Sequence, residues 1–333
     1  MPRVKRARRF VAVAVFGLLW TAAGVFAAEG LWAKGNTHTH TNISDGDAPP
    51  AEVVTWYKDH GYQFVVLTDH HRLAPPAFFD QHTDGSFVVI PGVEMSATRQ
   101  LGDYNVHINA IGISSPPQEL VTSDIAQALI ANMEVIRRAG GIVQLNHPSF
   151  HLRDRNAISK VSGVFLMEVC NDSSRGDPMG SLHQPLFEYA YEAALTAGKR
   201  AYAVAVDDAH NYHVFDAKQA NPGRGWVMVH VPKLTREEIL KNLAAGNFYA
   251  STGVEIAQYA TNDKHIRVCI KPVPGVKYTI WFIGHGGMPL AKVTGEQAEY
   301  HLRGRPVEKY VRVRVDASDG TKAWLQPVWP GSN

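Results

Sequence analysis

The stretch FVVLTDHH, residues 64–71, joins four consecutive apolar residues directly to a threonine, an aspartate and two histidines. A short and fully apolar run is typical of a parallel strand that is buried on both faces. Before it, residues 50–60 carry an apolar face of Val53, Val54 and Tyr57 and end at Gly61, which predicts a helix. The stretch therefore indicates a buried strand that presents polar side chains, His70 among them, at its carboxyl end.

The same arrangement, an apolar run followed by a histidine or a carboxylate, recurs along the chain. Imidazole and carboxylate groups are the ligands of zinc, manganese and iron sites in proteins. One such group means little, but independent coincidences at successive strand ends are improbable. The sequence therefore predicts a metal centre. Its candidate ligands are His38, His40, Asp45, His70, Glu94, His107, His147, Asp208 and His210.

Two pairs of candidate ligands, His38 with His40 and Asp208 with His210, are spaced two residues apart. Residues at this spacing lie on the same side of an extended chain, so each pair can face one metal ion. Asp69 directly precedes another candidate ligand and is expected to point the opposite way. We therefore predict that the Asp69 carboxylate accepts a hydrogen bond from the N–H of a ligating histidine.

Strand and helix patterns alternate over residues 30–252, which favours a parallel α/β architecture. Most of the predicted strands donate a candidate ligand at the carboxyl end, whereas an open sheet gathers its functional residues from a few strands at one switch point. We therefore expect a (β/α) barrel with the metal centre at its top face. Residues 253–333 contain short alternating runs and glycine-rich turns, which predict a small antiparallel β domain.

Residues 1–27 have the pattern of a secretory signal peptide. Five basic residues lie within the first nine positions, an uncharged apolar stretch covers residues 10–24, and Val25-Phe26-Ala27 has small residues where cleavage after Ala27 requires them. We therefore expect a periplasmic or secreted protein without a stable membrane anchor. The alternative is an uncleaved anchor, for which the apolar stretch is short.

Cleavage of the leader would change the charge of the protein. It removes five of the 33 Lys and Arg residues and leaves 28 against 31 Asp and Glu, so the net charge of +2 becomes −3. A mildly acidic protein has no global basic field with which to hold long nucleic acid. We therefore expect a small-molecule substrate, and nothing in the sequence indicates an oligomeric state.

The order of these motifs resembles that of the PHP (polymerase and histidinol phosphatase) family of metal-dependent hydrolases. The resemblance covers residues 34–252, where all the motifs stand in the family's order. They are His-x-His at 38–40, Ser-Asp-Gly at 44–46, Thr-Asp-His at 68–70, Gly-x-Glu at 92–94, His107, His-Pro at 147–148 and Asp-x-His at 208–210.

Further segments resemble the secreted CehA/McbA-like branch of that family, which contains carbaryl-type carbamate hydrolases. This resemblance extends over nearly the whole mature chain. The segments include WYKDHGY at 56–62, FYASTG at 248–253, YVRV at 310–313 and AWLQP at 323–327.

The resemblance implies a distorted (β/α)7 TIM-like barrel that holds two to three divalent ions, such as zinc, manganese or iron. By resemblance, the first ion lies among His38, His40, Glu94 and Asp208. Glu94 bridges to a second ion that His107 and His147 complete, and Asp45, His70 and His210 hold a third. Many family members have histidine where Asp45 stands, and the harder carboxylate ligand favours manganese or iron over zinc at that site.

The ligand set and the resemblance together lead us to expect an exported metal-dependent hydrolase in which a hydroxide shared by two ions cleaves a phosphoester. Phosphomonoesters, nucleotides and short oligonucleotides are the expected substrates. His71, His210 or a metal-bound water is expected to protonate the leaving group. The alternatives are a carbamate or carboxylic ester hydrolase, which the branch-level resemblance favours, and a non-catalytic metal-dependent binding module.

Overall fold

The structure, a computed structural model, describes residues 30–96, 106–120, 122, 124–148, 155–171 and 180–331. The predicted signal peptide, residues 1–27, lies outside these ranges. The described part of the chain has a mixed α/β fold with a 13-stranded sheet, a three-stranded sheet and helices packed against the larger sheet. None of the described helices has the length and apolar character needed to cross a membrane.

The first half of the described chain alternates strands and helices much as the sequence pattern predicts. Its elements are β1 (Leu31–Asn36), α1 (Pro50–Asp59), β2 (Phe64–Leu67), α2 (Pro76–Gln81), β3 (Val88–Ser96), β4 (His107–Ile111), α3 (Ile125–Arg138), β5 (Ile142–Leu145), α4 (Arg155–Lys160), β6 (Val164–Asn171), α5 (Gly180–Thr196) and β7 (Arg200–Val206).

The second half of the described chain is mainly strands. Its elements are β8 (Trp226–Val231), α6 (Arg236–Ala245), β9 (Phe248–Ser251), β10 (Ile256–Thr261), β11 (His265–Ile270), β12 (Tyr278–Gly284), β13 (Met288–Thr294), β14 (Gln297–His301), β15 (Val311–Ala317) and β16 (Lys322–Val328).

Strands β1 to β7 lie side by side in chain order, but they are not all parallel. The pairs β1–β2, β2–β3, β5–β6 and β6–β7 are parallel, whereas β4 runs antiparallel to both β3 and β5. The expectation of a uniformly parallel set is therefore corrected at β4. Hydrophobic periodicity reports how a strand is buried, and it carries no information about the direction of the neighbouring strand.

The two outer strands of this seven-strand set meet just beyond their carboxyl ends. A parallel bridge joins Thr39, after β1, to Ala209, after β7. The amide of Asp208 donates to the carbonyl of His38 at 3.1 Å, and the amide of His40 donates to the carbonyl of Ala209 at 3.0 Å. These hydrogen bonds bring the first and last ligand-bearing segments of the chain together.

The larger sheet continues on the other side of β1 through antiparallel strands. Its order from that side is β8, β9, β16, β15, β12 and β13, so hydrogen bonds between β9 and β16 carry the sheet past residue 253. The strands β10, β11 and β14 form the three-stranded sheet, and apolar side chains such as Val268, Ile280 and Val313 pack in the core between the two sheets. The division into a barrel and a separate C-terminal domain stays a prediction.

Helix α1 shows why the helices dock where they do. It buries Val53, Val54 and Tyr57, the apolar face expected from the sequence, against Val65 and the side chains around it. Burial of a large apolar side chain contributes about 1.5–3 kcal/mol. The helix is therefore fixed beside β2, and the loop that enters it carries the candidate ligands His38, His40 and Asp45.

The turn after α6 gives a direct test of backbone strain and packing. Gly246 has a φ of 78°, and a Cβ atom there would lie 2.4 Å from the ring of Tyr202 on β7. Gly140, in the turn after α3, serves for comparison because it has the same φ of 78° but no atom within 4 Å of an added Cβ. We expect Gly140→Ala to lower the free energy of unfolding by about 1–2 kcal/mol, the cost of a left-handed alanine. Gly246→Ala should cost about 1–3 kcal/mol more because of the clash.

Urea unfolding of the two variants beside the parent protein measures this difference. Equal losses of stability in the two variants would show that the ring of Tyr202 moves aside freely.

Candidate metal centre

The nine candidate ligands converge on one edge of the seven-strand set. His38, His40 and Asp45 follow β1, His70 follows β2, His147 follows β5, and Asp208 and His210 follow β7. Two ligands differ from the expected position at the carboxyl end of a strand. Glu94 lies inside β3, and His107 is the first residue of β4.

The antiparallel direction of β4 explains how His107 reaches this edge. The start of an antiparallel strand lies beside the end of its neighbour, and His107 is paired with Ser96, the last residue of β3. Glu94 is two residues earlier on the same strand and pairs with His70 through a parallel bridge. The reversal of β4 therefore brings its first residue to this edge, whereas the first residue of a parallel strand would lie at the opposite edge.

The first donor set consists of His38 Nε2, His40 Nε2, Glu94 Oε2 and Asp208 Oδ1, and all four side chains are buried. Five of the six distances among these atoms are 3.1 Å. Donor atoms at about 2.0–2.2 Å from a tetrahedral ion lie roughly 3.3–3.6 Å apart. The set therefore surrounds a point with nearly the spacing that a divalent ion requires, and its residues fit a metal.

The second donor set uses the other oxygen of Glu94. Glu94 Oε1 lies 3.0 Å from His107 Nδ1 and 3.5 Å from His147 Nε2. One carboxylate thus faces two groups of imidazoles, as the bridging role implied by the family resemblance requires.

The third donor set, Asp45, His70 and His210, is wider and more open. The two Asp45 oxygens lie 3.5 Å from His70 Nε2 and 3.5 Å from His210 Nε2, and the Asp45 side chain is 51% exposed. His40 Nδ1 also lies 3.3 Å from Asp45, but its Nε2 belongs to the first set. A neutral imidazole has one nitrogen with a free lone pair, so we assign His40 to the first set.

Glu168 is a buried member of the site that the sequence reasoning missed. Its carboxylate lies 2.7 Å from His38 Nδ1 and also accepts from the amide of His147 at 2.6 Å. A proton on Nδ1 leaves His38 Nε2 unprotonated towards the first donor set, which is the arrangement typical of metal-bound histidine. The available signal was a single carboxylate inside the apolar run VFLMEVC, residues 164–170.

Amide side chains hold the ligand carboxylates in place. Asn146 Nδ2 donates to Glu94 Oε1 at 2.8 Å, and Asn171 Nδ2 donates to Asp208 Oδ2 at 3.0 Å. Asn109 Oδ1 in turn accepts from Asn146 at 2.8 Å. These donors fix the orientation of the carboxylates without adding charge.

Asp69 has a different role from the predicted one. Its carboxylate accepts from the amide and hydroxyl of Thr41 and from the amide and hydroxyl of Ser44, at 2.7–3.2 Å. Among the described residues, no ligand histidine donates to it. Asp69 therefore shapes the loop that carries Asp45, and Glu168 is the carboxylate that orients a ligand.

The two candidate proton donors occupy different positions. His210 Nδ1 lies 2.8 Å from the carbonyl oxygen of Asp208, which places its proton there and leaves Nε2 facing the third donor set. His71 belongs to none of the three sets among the described residues. Its Nδ1 is hydrogen bonded to the Glu119 carboxylate, and its ring lies 5.9 Å from that of His70. His71 is therefore beside the ligands, with its other ring nitrogen available.

The backbone is strained at the site. His71, His147 and Asp208 are the non-glycine residues with positive φ in the described ranges, at 57°, 24° and 49°. Such conformations cost of order 1–3 kcal/mol each and persist where surrounding structure enforces them. All three residues lie in or beside the donor sets, which indicates that the fold holds these side chains in position at some cost in stability.

The charges of the first donor set are strongly coupled. Burial disfavours the ionised form of His38, but Asp208, Glu94 and Glu168 outweigh this and hold its pKa well above the ordinary value. Burial likewise opposes ionisation of Glu94, but His38, His107 and His147 hold its pKa well below the ordinary value. Without a metal, protons on the imidazoles therefore balance the buried carboxylates. A bound cation replaces those protons, so its affinity rises with pH.

No protein-family model matches the sequence, and no curated protein matches it either. Several solved structures are similar. A two-domain protein from Bacteroides vulgatus, described as containing a predicted PHP-like metal-dependent phosphoesterase, has a TM-score of 0.51 and 16% identity, with 90% of this chain and 96% of that chain covered. This likeness shows a shared fold, and it agrees with the PHP resemblance. The CehA/McbA-like branch stays a prediction.

Two further similar structures have lower scores. A candidate metal-dependent phosphoesterase from Bifidobacterium adolescentis has a TM-score of 0.38 and 17% identity, covering 56% of this chain and 89% of that chain. An amidohydrolase from Chromobacterium violaceum has a TM-score of 0.36 and 17% identity, covering 54% of this chain and 88% of that chain.

The contact between Glu168 and His38 predicts an effect on metal binding. Glu168→Gln removes the charge that holds the proton on His38 Nδ1, so the affinity for Mn²⁺ or Zn²⁺ should fall about 10–100-fold. Competition with a chromogenic chelator measures this affinity. Glu134→Gln is the matched control, because Glu134 is an exposed residue of α3 that pairs with Arg138. Equal metal affinities in the two variants would show that Glu168 does not support metal binding.

Proposed function

We propose that this protein is a metal-dependent hydrolase that cleaves phosphoesters. The observation that carries the proposal is the position of Glu94, whose two oxygens face the first and the second donor set. Two cations that share a carboxylate can act on one substrate atom together. The likeness in fold to a protein described as containing a predicted PHP-like phosphoesterase supports the choice of phosphoester. In this proposal the seven-strand set is the distorted (β/α)7 barrel implied by the family resemblance.

The first and second donor sets would hold two divalent ions, and the third set would hold a further one. When bound, such ions lower the pKa of water and take up negative charge on the substrate oxygen. The three donor sets consist of imidazoles and carboxylates, and in this proposal water bound between the ions is the attacking group. Asp45 is the half-exposed carboxylate of the third set, and we assign manganese or iron to that position.

We assign the proton transfer to the leaving group to His71. Glu119 holds the Nδ1 side of the ring and so turns Nε2 into the exchanging nitrogen. The amide of His71 donates to the carbonyl of Glu94 at 3.0 Å, which ties the position of the ring to the residue that joins the first two donor sets. A positioned acid of this kind contributes about 10²–10⁴-fold to rate.

The substrate in this proposal is a small molecule, namely a phosphomonoester, a nucleotide or a short oligonucleotide. The net charge of −3 for residues 28–333 supports this choice, because it opposes binding of long nucleic acid. We also propose export to the periplasm or beyond, which rests on the leader pattern of residues 1–27 alone.

Hydrolysis by the purified, metal-reconstituted protein tests the function. We expect release of phosphate from p-nitrophenyl phosphate and from a nucleoside monophosphate. Glu94→Gln should lower both rates by at least about a hundredfold together with the metal content. His71→Gln should keep the metal content and slow hydrolysis of the nucleoside monophosphate, whose alkoxide leaving group needs a proton, by about 10²-fold or more. Hydrolysis of p-nitrophenyl phosphate should slow less, because p-nitrophenolate leaves without a proton.

The exposed His301 supplies the control variant, His301→Gln, which should match the parent protein. Hydrolysis of aryl carbamates or p-nitrophenyl acetate without phosphoester cleavage would replace the proposal by the carbamate and carboxylic ester alternative. Full metal content with no hydrolysis of any of these substrates would favour the metal-dependent binding module.

A further inference from the structure

A second cleft, of about 700 Å³, lies between helix α5 and one face of strands β12, β15 and β16. We call it the arginine–tryptophan cleft. The side chains that define it are Glu188, Glu192, Trp281, Arg312, Arg314 and Trp324.

The alternation of β15 creates the polar side of this cleft. Val311, Val313 and Val315 pack into the core beneath the three-stranded sheet, so Arg312 and Arg314 point to the opposite face, towards α5. The neighbouring strands add aromatic rings on the same face. Arg314 is paired with Trp281 on β12 and with Trp324 on β16.

The cleft is separate from the metal centre. Val169, which contributes to its wall, packs in the apolar core between the sheet and helices α3 to α5. Its neighbour Glu168 faces the other way and contacts His38. Strand β6 therefore lies between the two sites, and none of the nine candidate ligands lines the cleft.

Three buried donor atoms of the cleft make no hydrogen bond among the described residues, and one of them, Arg314 Nε, still lies 3.0 Å from Asp316 Oδ1 in an ion pair. The other two have no acceptor. Arg312 is 4% exposed and pairs with Glu188 at 3.1 Å and Glu192 at 2.8 Å, yet its Nη1 makes no hydrogen bond. Trp324, also 4% exposed, has an unpaired Nε1. By contrast, Trp281 Nε1 donates to Asp316 at 2.8 Å. Buried donors without partners are rare in native folds and call for a missing acceptor.

The charges and walls of the cleft limit the chemistry of that acceptor. Three cationic side chains and two carboxylates line it, and the Asp316 carboxylate beside it pairs with Arg314 at 3.0 Å, so the charges balance. A dianionic phosphate would meet strong repulsion from these carboxylates, whereas an organic carboxylate brings a single negative charge and accepts charge-assisted hydrogen bonds from a guanidinium. The apolar surfaces suit an aromatic or aliphatic body, and the volume is within the usual range for small-molecule sites. The charged residues are Arg312, Arg314, Lys322, Glu188 and Glu192, and the apolar ones include Trp281, Ile283 and Pro289.

We propose that the arginine–tryptophan cleft binds a small organic carboxylate with an apolar body, whose carboxylate accepts hydrogen bonds from Arg312 Nη1 and Trp324 Nε1. Both nitrogen atoms are covered by neighbouring side chains, so the entering carboxylate exchanges those contacts for hydrogen bonds. The site is additional to the proposed hydrolase centre and does not depend on it. It also gives a role to two of the C-terminal segments, residues 310–313 and 323–327, that no step of the proposed hydrolysis uses.

Titration calorimetry with benzoate tests the proposal, with benzamide as the uncharged probe and phenyl phosphate as the dianion. The purified protein is titrated with benzoate in its metal-bound form and again after chelation, because a carboxylate could also coordinate the metal centre. Phenyl phosphate is titrated only after chelation, because it is a phosphomonoester that the proposed hydrolase centre would bind and cleave. We expect saturable benzoate binding that survives chelation and that, in the chelated protein, is at least about tenfold tighter than binding of benzamide or phenyl phosphate.

Trp324→Phe keeps the aromatic ring and removes one donor, so benzoate affinity should fall about five- to tenfold. Arg312→Lys changes the other donor and should weaken binding further, while Arg267→Lys, at an exposed Arg–Glu pair on β11, should leave it unchanged. The proposal is overturned if benzoate does not bind, if binding disappears on chelation, or if Trp324→Phe binds benzoate as the parent does. Tyr189 is an exposed residue of α5 on the wall of the cleft. A dimer that dissociates on Tyr189→Arg, together with no benzoate binding, would show that a second copy covers the cleft instead.

Discussion

The carboxylate of Glu94 imposes the main constraint on this structure. It is buried to 1% exposure, and an isolated buried charge is too costly for a marginally stable fold to retain. Five imidazole nitrogen atoms lie within 3.5 Å of its oxygens, so the residue is compensated from both sides. They belong to His38, His40, His70, His107 and His147. Cations bound between these groups would replace protons as the source of compensating charge.

The backbone around Glu94 follows from the need to bring imidazoles to it from separate strands. The reversal of β4 sets the start of that strand, with His107, beside the end of β3. The hydrogen bonds between the segments after β1 and β7 place Asp208 beside His38. His147 and Asp208 have positive φ values, so the fold holds these two side chains in place at a cost in backbone conformational energy. Buried amides such as Asn146 then fix the carboxylates, and a rigid donor arrangement of this kind binds ions with little reorganisation.

The sequence predicted which side chains converge better than it predicted their surroundings. Most of the nine candidate ligands follow short apolar runs, because strand ends and residue types are local properties of the chain, and their role as metal ligands stays a prediction. Glu168 was missed because its partner, His38, is 130 residues away and the residue stands alone in an apolar strand. The role of Asp69 was misassigned because alternation gives the face of a side chain but not its partner. The direction of β4 and the continuation of the sheet through β9 and β16 depend on long-range pairing, which no local pattern encodes.

Anomalous diffraction from crystals of the metal-loaded protein, recorded at the absorption edge of the metal, locates bound ions and so tests whether Glu94 joins two of them. At least two peaks that share Glu94 are expected. The first should lie about 2.0–2.2 Å from His38 Nε2, His40 Nε2, Glu94 Oε2 and Asp208 Oδ1, and the second should lie against Glu94 Oε1, His107 and His147. Crystals of the loaded protein with no peak at Glu94, or with ions bound elsewhere on the surface, would contradict this role of Glu94.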